Sequence, residues 1–259
     1  MTAAGERVTG IVAALRSEAR CLPQRSSRPQ PGTAGTRVSV LASGMGCVRA
    51  ARAAQRLVRE GVGALLCFGV AGALDPALRC GDVVLASEVI CAQPLALQLP
   101  GMRPIALPAQ ARVRTTERWR AALAAALSSH GSLLEGPMLT STELICEAHE
   151  KVRLFRQTSA VAVDMESAAV GVVANLHGLP FMVLRVIADT AEDALPAVLR
   201  SIAGADSGAP AWVSWLPMLG APTAWPGLVR MGRRYQRALG VLRECARQAC
   251  SAGALEAAS

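Results

Sequence analysis

Lysine is nearly absent from this chain: Lys151 is the only one among 27 basic residues, and arginine supplies the rest. Aromatic residues are scarce too, with three Phe, four Trp and one Tyr in 259 positions. The net charge of +8 therefore comes without the stacking faces of a single-strand nucleic-acid platform or the basic stripe of a groove binder. Nucleic acid is not an expected partner, and the arginine bias reads as that of a GC-rich genome. Only three histidines occur, His130, His149 and His177, and they are read as structural because no metal-ligand spacing accompanies them. The eight cysteines, at 21, 47, 67, 80, 91, 146, 245 and 250, include no Cys-x-x-Cys pair, so no metal site is expected. Several sit in apolar runs such as Ala64-Leu-Leu-Cys67-Phe68, as free thiols do in a reducing compartment, and a cytoplasmic location is expected. The apolar stretch Val8–Leu15 is short and flanked by Glu6, Arg7, Arg16 and Glu18, unlike a secretory signal. No internal repeat is visible.

What is present is apolar. A chain that is 52% hydrophobic and 18% charged is globular rather than disordered, and its length suits one large α/β domain or two small ones. Short apolar runs alternate with longer amphipathic stretches from residue 8 to about 200, the pattern of an α/β fold. The runs predict strands at Val8–Leu15, Arg37–Ala42, Ala64–Gly69, Asp82–Val89, Ala160–Asp164 and Phe181–Ile187. Helices are predicted over Cys47–Glu60, Glu117–His130, Thr142–Arg153 and Met165–Leu176. Residues 22–36 read as an exposed loop, and 91–113, with four prolines, as a long connection or flap. Two uncharged windows reach transmembrane length. Ser167–Leu184 holds Asn175, His177, Gly178 and Pro180 and reads as helix, turn and strand. Ser207–Val229 holds Trp212, Trp215 and Trp225 among four prolines that break any single helix, and the cluster Arg230, Arg233, Arg234 and Arg237 follows it.

Ligands of open α/β sheets bind beyond the carboxyl ends of strands, and three acids stand there. Glu18 follows the first strand, Glu166 lies in Val163-Asp-Met-Glu166-Ser, and Asp189 ends Leu184-Arg-Val-Ile-Ala-Asp189. Each position also suits an ordinary first-turn acid or helix N-cap. Ser43-Gly-Met-Gly46 between a strand and a helix offers backbone amides to an anion but lacks the third glycine of a dinucleotide fingerprint. A second glycine-bearing exit, Phe68-Gly-Val-Ala-Gly72-Ala, precedes Gly81-Asp-Val-Val84. Two such exits and three strand-end acids point to one site for a polar, hydroxylated ligand.

In these motifs, over roughly residues 8–195, the chain resembles the nucleoside phosphorylase and nucleosidase superfamily. The resemblance rests on Phe68–Val84, on Val163-Asp-Met-Glu-Ser-Ala-Ala169 and on Arg185–Asp189 in that order. It implies a single-domain mixed, twisted β-sheet flanked by helices, usually in a homo-oligomer such as a dimer, trimer or hexamer. It implies that Asp189 protonates the purine, that Glu166 holds ribose hydroxyls with Met165 packed on the sugar, and that Glu18 activates water. Leu144, Ile145 and Ala188 would contact the purine, with Leu144 where the family often has an aromatic. Ser43, Gly44, Arg49, Val70, Ala71 and Gly72 are candidates for a phosphate or nucleophile site, inorganic phosphate being an alternative co-substrate; no other cofactor and no metal are implied. Arg49 reads equally as a solvated helix residue. A carboxylate at Glu18 tilts the reading toward hydrolysis.

The chain divides into a catalytic domain, 1–200, and a C-terminal helical or irregular extension, 201–259. Glu18-Ala-Arg20, the acidic run Asp189–Pro196 and the Arg/Trp/Pro-containing tail look like the hopanoid-associated subfamily, which implies release of adenine from adenosylhopane. A 5′-methylthioadenosine/S-adenosylhomocysteine nucleosidase is the alternative, and a non-catalytic nucleoside-binding protein a second one. The segment 207–237 is read either as a peripheral membrane contact, with aromatic rings at headgroup depth and cations over anionic lipid, or as a cover packed on the protein.

Overall fold

The computed structural model describes residues 8–23, 38–195 and 225–255, with the backbone alone for 225–228. Most of the 22–36 loop, Arg37, and Trp212 and Trp215 of the tail lie outside the described residues. The elements run β1 (Thr9–Ala13), α1 (Arg16–Ala19), β2 (Val38–Ala42), α2 (Cys47–Arg59), β3 (Ala64–Ala73) and β4 (Val83–Cys91). There follow β5 (Leu95–Leu97), β6 (Ile105–Leu107), β7 (Arg112–Arg114), α3 (Glu117–Ala126), β8 (Leu133–Thr140) and α4 (Ala148–Thr158). The described chain closes with β9 (Ala162–Asp164), α5 (Ser167–Leu176), β10 (Phe181–Asp189) and α6 (Trp225–Ser251).

Strands β2, β1, β3 and β10 lie side by side in parallel. The sheet then curls on itself. β10 pairs antiparallel with β4, β4 and β9 each pair in parallel with β8, and β9 returns antiparallel to the far end of β3. β7 edges β4, and β5–β6 form a separate hairpin. This main sheet is the mixed, twisted one, flanked by helices, that the family resemblance implies.

One face carries α2 and α5, whose Ala50, Ala51, Ala54 and Leu57 and Ala168 to Ala174 pack on Leu65, Val84 and Val183. The other carries α3 and α6. On α6 the buried residues Ala238, Leu239, Leu242, Cys245, Ala246 and Ala249 recur at helical spacing and share a core with Phe68, Met182 and Leu184. Trp119 of α3 is fully buried, and its indole N–H donates to the Ala254 carbonyl at 2.9 Å, tying the end of the described chain to the sheet. Among the described residues no helix is long and apolar enough to cross a membrane.

Several elements depart from the sequence pattern for identifiable reasons. β3 runs to Ala73, four residues past the expected end, because its glycines serve close side-chain approach rather than a turn. β8 was hidden by Gly136 and Pro137; the proline lacks a ladder donor, yet its carbonyl accepts the Val161 N–H at 2.8 Å. The expected helix at Thr142 begins only at Ala148, since the Ser141 hydroxyl donates to the Glu143 carbonyl at 2.7 Å and accepts the Glu143 N–H at 3.1 Å. That local turn competes with the helix and leaves 141–147 as a loop. The connection 91–113 contains β5, β6 and β7. In α6 the last of the four prolines, Pro226, falls in the first turn, where a missing N–H is tolerated.

Gly171 marks the tightest helix-to-sheet contact: a Cβ there would lie 2.6 Å from both Phe181 Cε1 and Val113 Cγ1. Gly171→Ala is expected to lower unfolding free energy by about 1–3 kcal/mol through overpacking. Urea denaturation of the two proteins measures it.

Candidate active site

The parallel strands β1, β3 and β10 deliver their carboxyl ends to one cavity of about 140 Å³. Its wall includes Glu18, Asp164, Met165, Glu166 and Asp189, with Val70, Ala71 and Gly72 from β3 and Leu144, Ile145 and Ala188 on the apolar side. Three acids separated by up to 171 positions in sequence thus face one space.

Glycines on β3 make that convergence sterically possible. A Cβ on Gly69 would fall 2.5 Å from Arg185 Nη1 and 2.7 Å from Glu18 Oε1, and one on Gly72 would fall 3.0 Å from Asp189 Oδ2. The Phe68–Gly72 run, expected to present amides at a strand exit, is instead continuous strand whose missing side chains admit the acids.

Glu18 is carried on α1 and is 1% exposed. Its carboxylate accepts the Leu15 N–H at 2.8 Å and the Val70 N–H at 3.0 Å. Burial pushes its pKa above the usual carboxylate range, against the pull of Arg185 and these amides. Glu166, at the N-terminus of α5, accepts the Gly46 N–H at 2.8 Å and lies 3.4 Å from Arg185 Nη2. Burial is again the larger effect and pushes it up to about 7.

Arg185 is the cation behind this wall. It interrupts the apolar run Phe181–Ala188 of β10, is fully buried, and donates to Asp164 Oδ2 through Nη2 at 2.6 Å and Nε at 3.0 Å. Asp164 is completed by the Thr140 hydroxyl at 2.7 Å and by the Ser167 hydroxyl. Its bonds to Arg185, Thr140 and the α5 amides at 166 and 167 weld β8, β9, α5 and β10 together at the cavity floor.

Asp189 meets the other cation. The Lys151 ammonium, on α4 and fully buried, pairs with its carboxylate and donates to the carbonyls of Thr190 at 2.9 Å and Asp193 at 3.0 Å. Burial raises the Asp189 pKa, and Lys151 acts against that rise.

Ser43, Gly44 and Arg49 are not among the residues lining the cavity. The Ser43 and Gly44 amides donate to the Ala13 and Ala14 carbonyls at 2.8 Å, and the Ser43 hydroxyl donates to the Gly44 carbonyl at 2.7 Å. The Arg49 side chain lies against Gly44, whose added Cβ would fall 3.0 Å from Arg49 Cδ. Val70, Ala71 and Gly72 do line the cavity, but the Val70 N–H is occupied by Glu18. Lys151, Asp164 and Arg185 were missed in the sequence. The available signals were a solitary lysine in an arginine-rich chain and an arginine interrupting an apolar strand. Among the described residues no cluster of His, Cys, Asp or Glu has the arrangement to hold a metal ion.

This fold, with its acid-lined cavity at the strand ends, is that of nucleoside-cleaving enzymes. The chain belongs to the phosphorylase superfamily, whose sequence profile matches residues 1–205. It is 29% identical over 180 residues to a 5′-methylthioadenosine/S-adenosylhomocysteine nucleosidase of Treponema pallidum, covering 60% of this chain and 66% of that protein. A protein of the same name from Shewanella pealeana is 28% identical, covering 72% of this chain and 88% of its own length. Among solved structures, that nucleosidase from Helicobacter pylori superposes with a TM-score of 0.64 at 19% identity, over 93% of this chain and 98% of the other. Futalosine hydrolase of Helicobacter pylori gives 0.63 at 20%, over 93% and 97%. At such identities the structural likeness concerns the fold.

Because Glu166 binds its proton more tightly in the folded chain than in the unfolded one, the folded state holds more protons between about 4.5 and about 7. Stability attributable to this group therefore falls as pH rises through that window. Glu166→Gln is expected to reduce the slope, as read by urea unfolding below and above the window; an unchanged slope contradicts the burial argument.

Proposed function

We propose that the chain is a purine nucleosidase that hydrolyses the N-glycosidic bond of an adenosine bearing a 5′ substituent, as a 5′-methylthioadenosine/S-adenosylhomocysteine nucleosidase does. The observation that carries the reading is the convergence of Glu18, Glu166 and Asp189 on one cavity. Cleavage of such a bond passes through an oxocarbenium-like sugar and needs a proton for the departing base and negative charge near the developing cation.

Asp189 donates the proton, to N7 of the purine, which leaves as neutral adenine. Lys151 beside it stabilises the carboxylate left behind, making Asp189 a stronger acid than burial alone would allow. Leu144, Ile145 and Ala188 surround the base, and without an aromatic at Leu144 they hold it by apolar contact rather than stacking. Glu166 binds ribose hydroxyls, with Met165 against the sugar. Glu18, fixed by two amides, orients and deprotonates the attacking water. Water rather than phosphate fits the acidic wall and the absence of Ser43, Gly44 and Arg49 from the lining. Assembly as a homo-oligomer is part of the same proposal.

A second reading, cleavage of adenosylhopane, shares every step at base and sugar and differs in the 5′ group. It draws on the chain beyond the superfamily match, where α6 leaves Arg230, Arg233 and Arg237 exposed, a charge pattern suited to anionic headgroups. Membrane contact through 207–237 belongs to that reading; much of the segment lies outside the described residues.

Adenine release from 5′-methylthioadenosine and from an adenosine with a long apolar 5′ group, each with and without phosphate, tests both readings. Release that does not need phosphate is expected, with the preferred substrate choosing between them; none from either substrate would overturn the assignment. Asp189→Asn is expected to lower kcat by about 10²–10⁴. Lys151→Met leaves Asp189 a weaker acid, so kcat falls while the alkaline limb of the pH profile moves upward.

A further inference from the structure

Two adjacent residues of α6 hold the segments next to two acids of the cavity. The Tyr235 hydroxyl shares a hydrogen bond of 2.6 Å with Ser17 Oγ, and Ser17 directly precedes Glu18. Arg234 forms an ion pair with Asp193, whose carboxylate also accepts the Thr190 N–H at 2.9 Å and the Thr190 hydroxyl at 2.7 Å. Thr190 directly follows Asp189. The loop that directly follows the proposed proton donor is thus gripped by Lys151 from the interior and by Arg234 from α6.

Each acid borders a segment that does not fix itself. α1, which carries Glu18, has four residues, too few to hold helical geometry without tertiary contacts, and Asp189 is the last residue of β10, after which 190–195 belongs to no strand or helix. α6 is firmly seated by comparison: its buried face joins the core, the Cys80 thiol donates to the Arg234 carbonyl at 3.4 Å, and the Cys21 thiol to the Leu239 carbonyl at 3.5 Å. Neither Arg234 nor Tyr235 lines the cavity of the three acids, and both lie beyond residue 205, where the superfamily match ends.

The geometry points to Arg234 and Tyr235 as positioning residues, one helical step that sets the separation between the water-activating and proton-donating ends of the site. The inference rests on the hydrolytic reading for what the two acids do. The groups around Asp189 are Lys151 from α4, Asp193 from the loop that follows it, Arg230 and Arg234 from α6, and the Cys80 thiol from the β3–β4 connection. Removing the Arg234 charge leaves Asp193 uncompensated, which disfavours the ionised form of Asp189.

The test uses full-length Arg234→Met, Arg234→Lys and Tyr235→Phe, with kcat, KM and pH profile for adenine release from 5′-methylthioadenosine and hydrogen–deuterium exchange of the same proteins. Arg234→Met is expected to lower kcat about tenfold with KM changed less than about threefold. Its alkaline limb moves upward, and Arg234→Lys recovers most of the loss. Exchange should quicken roughly tenfold over 190–195 in Arg234→Met and over 15–20 in Tyr235→Phe, with the central strands unchanged. Unchanged kcat and limb in folded Arg234→Met overturn the inference, as does a kcat loss that matches a loss of folded protein. So does quickened exchange without a kinetic effect in an active wild type. A wild type that releases no adenine from 5′-methylthioadenosine or from an adenosine with a long apolar 5′ group refutes the hydrolytic reading alone, and exchange then decides the clamp: quickened in both segments upholds it, unchanged in either overturns it.

Discussion

A single buried guanidinium sets the terms for this cavity. Arg185 faces Asp164 and Glu166 directly and Glu18 across the space that Gly69 leaves open. One positive charge cannot balance three carboxylates in a desolvated wall, so burial raises the proton affinity of Glu18 and Glu166. The result is a surface whose charge is partly held in reserve as protons. Such a wall suits a reaction in which the sugar turns cationic only at the transition state, because negative charge there gains more attraction as the bond breaks.

The sheet explains why these groups meet. β3 pairs with three other strands along its length, β1, β10 and β9, and the cavity opens where those partners change. Glycines fall at the two places where an acid must pass the strand: Gly69 between Glu18 and Arg185, and Gly72 opposite Asp189. A methyl group at Gly69 would press on charged side chains held by buried hydrogen bonds rather than on a mobile tip, and one at Gly72 would require Asp189 to give by a few tenths of an ångström. Fold and site are therefore one constraint.

Much of this was legible in the sequence, and the illegible parts have physical causes. Strand-end acids can be read because an apolar run that stops at a carboxylate marks both the strand and its exit; Glu18, Glu166 and Asp189 were found this way. Met165, Leu144, Ile145 and Ala188 came from the family resemblance, and they share that cavity. The glycines of β3 stand out in the sequence, but a pattern of glycines does not reveal whether the freed volume receives a ligand or a neighbouring side chain. Arg185 and Lys151 were invisible as site residues because their partners are distant in the chain, and a buried cation is defined by its partners. The tail was harder still. Its four arginines formed one cluster on paper, whereas helical geometry turns Arg234 onto Asp193 and leaves Arg230, Arg233 and Arg237 outward.

Charge also separates the two nucleophiles open to an enzyme of this superfamily. A phosphate dianion entering the cavity would meet Glu18, Glu166 and Asp189, while Arg185 and Lys151 are already committed to carboxylates. Two like charges about 4 Å apart repel by about 4 kcal/mol at an effective dielectric near 20, and each ionised acid adds its own share. Backbone donors do not offset this. The Ser43 and Gly44 amides close onto β1, the Gly46 amide onto Glu166 and the Val70 amide onto Glu18. A water molecule carries no charge into that field, and a buried carboxylate of raised proton affinity is well suited to take its proton. The same interactions that crowd acids around Arg185 thus favour hydrolysis over phosphorolysis in the proposed reaction.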